Sequence, residues 1–89
     1  MISIQFYATV RHFFDITEKL EFDCNDFTIN DLLNKVEKST GKKITSFLLQ
    51  GNRIKSGFII LVNGEKKMFA DEKLKDKDIV EVLSPAGGG

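Results

Sequence analysis

The stretch TINDLLNKVEKSTG, residues Thr28–Gly41, carries the clearest structural signal in the chain. Its apolar residues recur with the i, i+3, i+4, i+7 spacing of one helix face, at Ile29, Leu32, Leu33 and Val36. Thr28 is suited to be the N-cap, with Asp31 as an acidic near-match to a capping box, and Gly41 is a natural stop. The stretch therefore predicts an amphipathic helix over Ile29–Thr40.

Two runs of alternating residues precede this helix. Across Met1–Val10 the even-numbered positions are apolar and most of the others are polar, which is the period of a half-buried strand. Leu20–Cys24 alternates in the same way, and Cys24 is therefore expected to be a small buried hydrophobe rather than a nucleophile. Arg11–Asp15 is predicted to be a turn or loop with a solvated His12, so the two runs can form an antiparallel hairpin.

Turn signals divide the second half of the chain. Lys42–Gly57 is ambiguous, since its apolar residues fit either a short helix or an extended segment. Phe58–Val62 is an apolar run before Asn-Gly, a strong hairpin signal, and Lys66–Phe69 is the expected return strand. A last strand is predicted over Ile79–Leu83, with its two valines toward the core and its other three residues outward.

This order of elements predicts an α+β fold. A hairpin, a helix and then further strands place one main helix on one face of a mixed sheet of about five strands. The helix lies in a crossover long enough for the first and last strands to pair in parallel at the centre of the sheet. The arrangement is a β-grasp, with residues 1–83 as the domain.

Composition excludes several classes of function. Thirteen basic and thirteen acidic residues cancel, so no general attraction to nucleic acid or an anionic membrane is expected. A single cysteine cannot form an internal disulfide or a Cys-rich zinc site. No stretch reaches the ~20 apolar residues of a membrane span, and no signal peptide is visible, so the expected compartment is the cytoplasm. Eight Phe residues are expected to fill much of the core.

The last six residues, Ser84–Gly89, differ from everything before them. Pro85 cannot donate to a sheet ladder and ends the strand, and Ala86–Gly89 carries almost no side chain. A flexible tail over residues 84–89 is therefore expected. Such a backbone can thread a narrow channel in a partner and place the Gly89 carboxylate in a remote active site. The alternative is plain disorder or a leftover from cloning.

Four segments carry a resemblance to a known family: Ile4–Arg11, Val62–Glu65, Leu74–Val80 and Ser84–Gly89. They resemble the first strand with its arginine, the internal hairpin, the last strand with its preceding turn, and the tail of the MoaD-like small subunit of molybdopterin synthase. These proteins belong to the MoaD/ThiS sulfur carriers, which are ubiquitin-like. The family's tail often has two prolines, whereas here Ser84 occupies the first of those positions, and Gly87 stands where a small residue with a Cβ is common.

The resemblance implies a non-catalytic carrier. An E1-like adenylating enzyme would use ATP to adenylate Gly89, and a sulfur donor would displace AMP to leave a thiocarboxylate. The carrier, a monomer alone, would then dock on the large subunit of molybdopterin synthase as a hetero-oligomer and deliver sulfur to the pterin precursor. Pro85, Gly87 and Gly88 would thread the partner's channel. The chain itself would bind no cofactor and no metal.

A partner-binding surface is also expected, formed by Tyr7, Leu83 and Ile79 on the outward side of the neighbouring first and last strands. The same tail chemistry fits a ubiquitin-like modifier, whose Gly89 would join lysines of target proteins. It also fits a sulfur carrier of another pathway, such as thiamine synthesis or tRNA thiolation. A plain binding module is the remaining alternative.

Overall fold

A computed structural model describes residues 1–23 and 26–84. The strands and helices, in chain order, are β1 (Ile2–Phe6), α1 (Ala8–Phe14), β2 (Leu20–Phe22), α2 (Ile29–Thr40), α3 (Thr45–Leu48), β3 (Leu49–Gln50), β4 (Arg53–Ile54), β5 (Ile59–Val62), β6 (Glu65–Lys67) and β7 (Ile79–Leu83). None of the helices in these two ranges is long and apolar enough to cross a membrane.

Five strands form one mixed sheet in the order β2-β1-β7-β5-β6. β1 and β7 are parallel, with Ser3 opposite Ile79 and Phe6 opposite Val82, and the other neighbouring pairs are antiparallel. The predicted parallel pairing of the first and last strands is confirmed, and β7 is the central strand. The fold is therefore the predicted ubiquitin-like β-grasp.

α2 has the predicted bounds because its caps are complete. The Asp31 backbone N–H donates to Thr28 Oγ1 at 3.1 Å, and the Thr28 N–H donates to Asp31 Oδ2 at 2.9 Å. Gly41 ends the helix with φ 75°, a left-handed conformation that costs glycine little. The four apolar residues of the predicted face are all fully buried, and they pack into one core with the inward residues of the sheet.

The predicted first strand is too long, and the predicted turn at Arg11–Asp15 is wrong. β1 ends at Phe6, and α1 begins at Ala8, whose φ of 53° turns the chain sharply. Val10 and Phe14 are four residues apart and both buried on α1, so a helix satisfies their burial as well as a strand would. His12 is exposed on this helix rather than in a loop.

The ambiguous segment after α2 forms α3 and a two-stranded ribbon of β3 and β4. This ribbon also shortens the predicted return strand, which ends at Lys67. The Ile54 N–H donates to the Met68 carbonyl at 3.1 Å, and the Ala70 N–H donates to the Asn52 carbonyl at 2.8 Å. Residues 68–70 therefore form backbone hydrogen bonds with the β3–β4 ribbon instead of continuing the pairing with β5.

Phenylalanine fills less of the core than its abundance predicts. Phe6 and Phe14 are buried, with ring centroids 5.9 Å apart. Phe22, Phe27 and Phe58 are only half-buried. The remaining three are exposed, and aliphatic side chains supply most of the interior.

Glu37 joins α2 to α3 and gives the fold a pH-dependent contact. Its Oε1 accepts from the Thr45 hydroxyl at 2.6 Å and from the Thr45 N–H at 2.7 Å. These hydrogen bonds, the hydroxyl first, lower the pKa of Glu37. A lowered folded pKa means that the stabilisation is present above the unfolded pKa and is lost as the pH falls through the folded one.

We expect Glu37→Ala to lower the free energy of unfolding by about 1 kcal/mol at neutral pH. The difference from the parent protein should shrink as the pH falls below the ordinary glutamate pKa of ~4.3 and through the lowered pKa of folded Glu37, because the parent carboxylate then becomes protonated. Urea unfolding at pH 7 and pH 3 measures both values. Glu18→Ala, at an exposed position before β2, is the control, and an equal loss at both pH values would contradict this role of Glu37.

Candidate functional site

The side of the sheet opposite α2 is only partly covered. Burial alternates along β1, β5 and β7, so every second residue points away from the core. We call this surface the outer sheet face, and its residues are Ser3, Gln5, Tyr7, Ile59, Leu61, Ile79, Glu81 and Leu83. Five of these eight side chains are apolar or aromatic, an unusual share for a sheet surface without a covering element.

The structure brings two of the three predicted interface residues together. The Tyr7 N–H donates to the Val82 carbonyl at 2.9 Å, which continues the parallel ladder and places Tyr7 beside Leu83. Ile79 is 53% exposed but lies at the other end of β7, about 13 Å along the strand from Leu83. Leu83 is half-buried rather than fully exposed.

Tyr7 is held in place by its hydroxyl. The hydroxyl lies 2.9 Å from Glu81 Oε2, to which it donates, and 3.2 Å from Gln5 Oε1. The hydrogen bond to Glu81, then desolvation, then the nearby negative charge raise the pKa of Tyr7 above its usual value. The phenol therefore stays protonated at neutral pH and positions an aromatic ring, which suits binding rather than general-base chemistry.

Sequence reasoning missed Ile59 and Leu61 as members of this face. Leu83 lies opposite Ile59, and Glu81 lies opposite Leu61 in the antiparallel pairing of β5 with β7. The run Phe58–Val62 is apolar at every position, so its period of two is hidden. Pairing of this run with the predicted last strand, in which Leu83 and Glu81 face outward, was the signal that could have assigned Ile59 and Leu61 to the same face.

The predicted reactive end begins where the outer sheet face ends. β7 stops at Leu83 and Ser84 is half-buried, while the predicted tail residues Pro85, Gly87, Gly88 and Gly89 lie outside the described residues, as does Cys24. Within residues 1–23 and 26–84, no three His, Cys, Asp or Glu side chains converge as metal ligands. Five residues separate Ser84 from the C-terminal carboxylate, a reach of at most about 17 Å.

Comparison with known proteins gives the family. The ThiS family model matches residues 4–89. Ubiquitin-related modifier 1 homolog 1 of Arabidopsis thaliana is 31% identical over 70 residues, which cover 75% of this chain and 69% of that protein.

Solved structures agree with the fold. One matching structure is a chain of the Amycolatopsis orientalis BexX/CysO complex, with a TM-score of 0.79 and 17% identity. The alignment covers 100% of this chain and 100% of that one. The putative molybdopterin converting factor subunit 1 of Pyrococcus furiosus is 25% identical, with a TM-score of 0.67, and the match covers 96% of this chain and 97% of that one. Since the family model extends from β1 to the last residue, the chain belongs to the ThiS family of ubiquitin-like sulfur carriers.

Proposed function

We propose that this protein is a sulfur carrier that acts as the small subunit of molybdopterin synthase. The reactive group is the carboxylate of Gly89, and the chain contributes no catalytic side chain of its own. An E1-like enzyme activates the carboxylate, and the large synthase subunit receives the charged carrier. Both partners dock on the outer sheet face, and Pro85, Gly87 and Gly88 lead the terminus into their active sites.

The chemistry requires two steps at one carboxyl group, the first at its oxygen and the second at its carbon. The carboxylate attacks the α-phosphorus of ATP, which forms an acyl-adenylate and releases pyrophosphate. Hydrosulfide from the sulfur donor then attacks the acyl carbon, AMP leaves, a proton is released, and the terminus becomes a thiocarboxylate. Adenylation provides the leaving group that a free carboxylate lacks, and the resulting sulfur is the better nucleophile for attack on a pterin precursor.

The observation that carries the proposal is the extent of the family match, which runs through to Gly89 itself. The described structure is compatible with it, because Ser84, the first residue of the tail, directly follows β7, the central strand of the sheet, which lies between β1 and β5. A partner that covers the outer sheet face therefore also reaches the start of the tail. The similarity to the Pyrococcus furiosus protein, a putative molybdopterin converting factor subunit, is what supports the molybdopterin branch of the family.

A ubiquitin-like modifier is the second candidate, because the Arabidopsis thaliana relative is named as a ubiquitin-related modifier. An acyl-adenylate can be attacked by a lysine amine as well as by sulfur, so both fates share the first step. They differ in the product, which is a carrier with a new terminal atom in one case and a covalent conjugate in the other.

Intact mass spectrometry distinguishes the two. After incubation with the E1-like enzyme of the same organism, ATP and a sulfur donor, we expect a gain of about 16 Da, since one oxygen is replaced by sulfur. Addition of the large synthase subunit and the pterin precursor should return the carrier to its original mass. Conjugates on lysines of other proteins without this mass shift would instead establish the modifier role, and no change of any kind would contradict both.

A further inference from the structure

A second apolar surface lies beside the start of the tail, apart from the outer sheet face. It is a groove of about 370 Å³ between α1, α3 and the turn before β5, and Ser84 forms part of its wall. Its main lining residues are Phe13, Phe47, Phe58, Val10 and Ser84. We call it the aromatic groove.

The groove exposes two aromatic rings on a rigid support. Phe13 is 60% and Phe47 is 39% exposed, and their ring centroids are 4.5 Å apart. Buried Phe14 packs against both rings, at 5.2 and 5.5 Å, and Phe58 packs against Phe47 at 5.7 Å. These contacts hold the two exposed rings in place, so a partner that binds them loses little side-chain conformational entropy.

The lining sets the chemistry of the occupant. None of the residues that line the aromatic groove is charged. A neighbouring cleft is lined by four cations, Arg53, Lys55, Lys66 and Lys67, so the groove is an apolar site beside a cationic one. Its aromatic walls suit an apolar or aromatic side chain, the kind of anchor that dominates protein interfaces.

The position of Ser84 identifies the partner. The Gly89 carboxylate lies at most about 17 Å from Ser84 along the chain, so an enzyme that encloses this carboxylate must come close to the aromatic groove. A protein that bound the groove for another purpose would obstruct the same approach. The adenylating enzyme must enclose the free carboxylate before the large synthase subunit can use the charged carrier, so it is the partner that this location and lining fit best.

We propose that the aromatic groove receives an apolar side chain of the adenylating enzyme and thereby anchors the base of the tail. This inference rests on the proposed function, since it requires that Gly89 be activated. It adds a second contact to the outer sheet face, with Phe13 and Phe47 as binding residues that touch the enzyme and not the reacting atoms.

ATP–pyrophosphate exchange tests the inference with the full chain and its adenylating enzyme. The variant Phe13→Ala/Phe47→Ala should raise the KM for the carrier about tenfold with an unchanged kcat, because it removes a binding anchor and leaves the carboxylate intact. Phe69→Ala is the matched control, since Phe69 is 43% exposed and lies outside the groove lining. Its KM should stay at the parental value.

A second measurement is independent of activity and of variant stability. Benzoylphenylalanine introduced at position 13 should photocrosslink to the adenylating enzyme, and the same group at position 69 should not. An unchanged KM together with no crosslink at position 13 would overturn the inference but leave the proposed function intact. If the parent protein supports no exchange, both fail. If the parent is a dimer that the double variant dissociates, the groove joins two copies and the inference is wrong.

Discussion

Deletion of Gly88 and Gly89 is expected to abolish adenylation and leave the stability of the domain nearly unchanged. The described fold is complete at Ser84, with every buried core residue between Ile2 and Val82. A shortened chain ends in Gly87, two residues or about 7 Å short of the parental terminus. A reacting carboxylate so displaced loses the near-attack geometry on which the rate depends, since even an error of 1 Å can cost about a hundredfold.

Pyrophosphate release in the presence of the adenylating enzyme measures the first effect, and thermal unfolding measures the second. Glu18→Ala, at an exposed position before β2, is the control, because it leaves the tail unchanged, and it should retain activation. Unfolding of the deletion variant at a clearly lower temperature would show that the last residues belong to the domain. Full activity of the deletion variant would contradict the role of Gly89.

The sequence predicted the elements whose local signals agree with their tertiary setting. α2 has an N-cap, an apolar stripe and a terminal glycine that all point to the same bounds. β7 is flanked by turn residues and by Pro85, and its valines face the core as predicted. Asn63 and Gly64 have the positive φ values, 53° and 82°, that a two-residue hairpin turn requires. In these cases the local preference and the global fold coincide.

α1 could not be predicted in this way, because alternation over Tyr7–Val10 imitates a strand and the helix has only seven residues. α3, with four residues, is shorter still, and it forms only where α2 and Glu37 hold its first turn. Because the first turn of a helix costs free energy to form, helices this short are unstable in isolation. The aromatic groove depends on both helices, so the sequence alone gave no indication of it, whereas Tyr7 and Leu83 on the outer sheet face could be predicted from strand pairing.

The variant Tyr7→Ala/Leu83→Ala is expected to weaken binding of the large synthase subunit about thirtyfold or more. The two side chains adjoin each other at the end of the sheet from which the tail continues, so both would be covered at the centre of the interface, where truncation costs most. Isothermal titration calorimetry measures the affinity. Asn34→Ala is the control, since Asn34 is exposed on α2 at the opposite side of the sheet.

Tyr7→Phe separates the ring from its hydroxyl. The ring should provide most of the binding free energy, because the hydroxyl already donates to Glu81 within the free protein, so this variant should bind within about threefold of the parent. Ile79→Ala, far along β7 from the tail, should have an intermediate effect because it lies nearer the rim. If the Tyr7→Ala/Leu83→Ala variant keeps the parental affinity and melting temperature, the outer sheet face is ordinary surface, and docking must rely on the tail and other contacts.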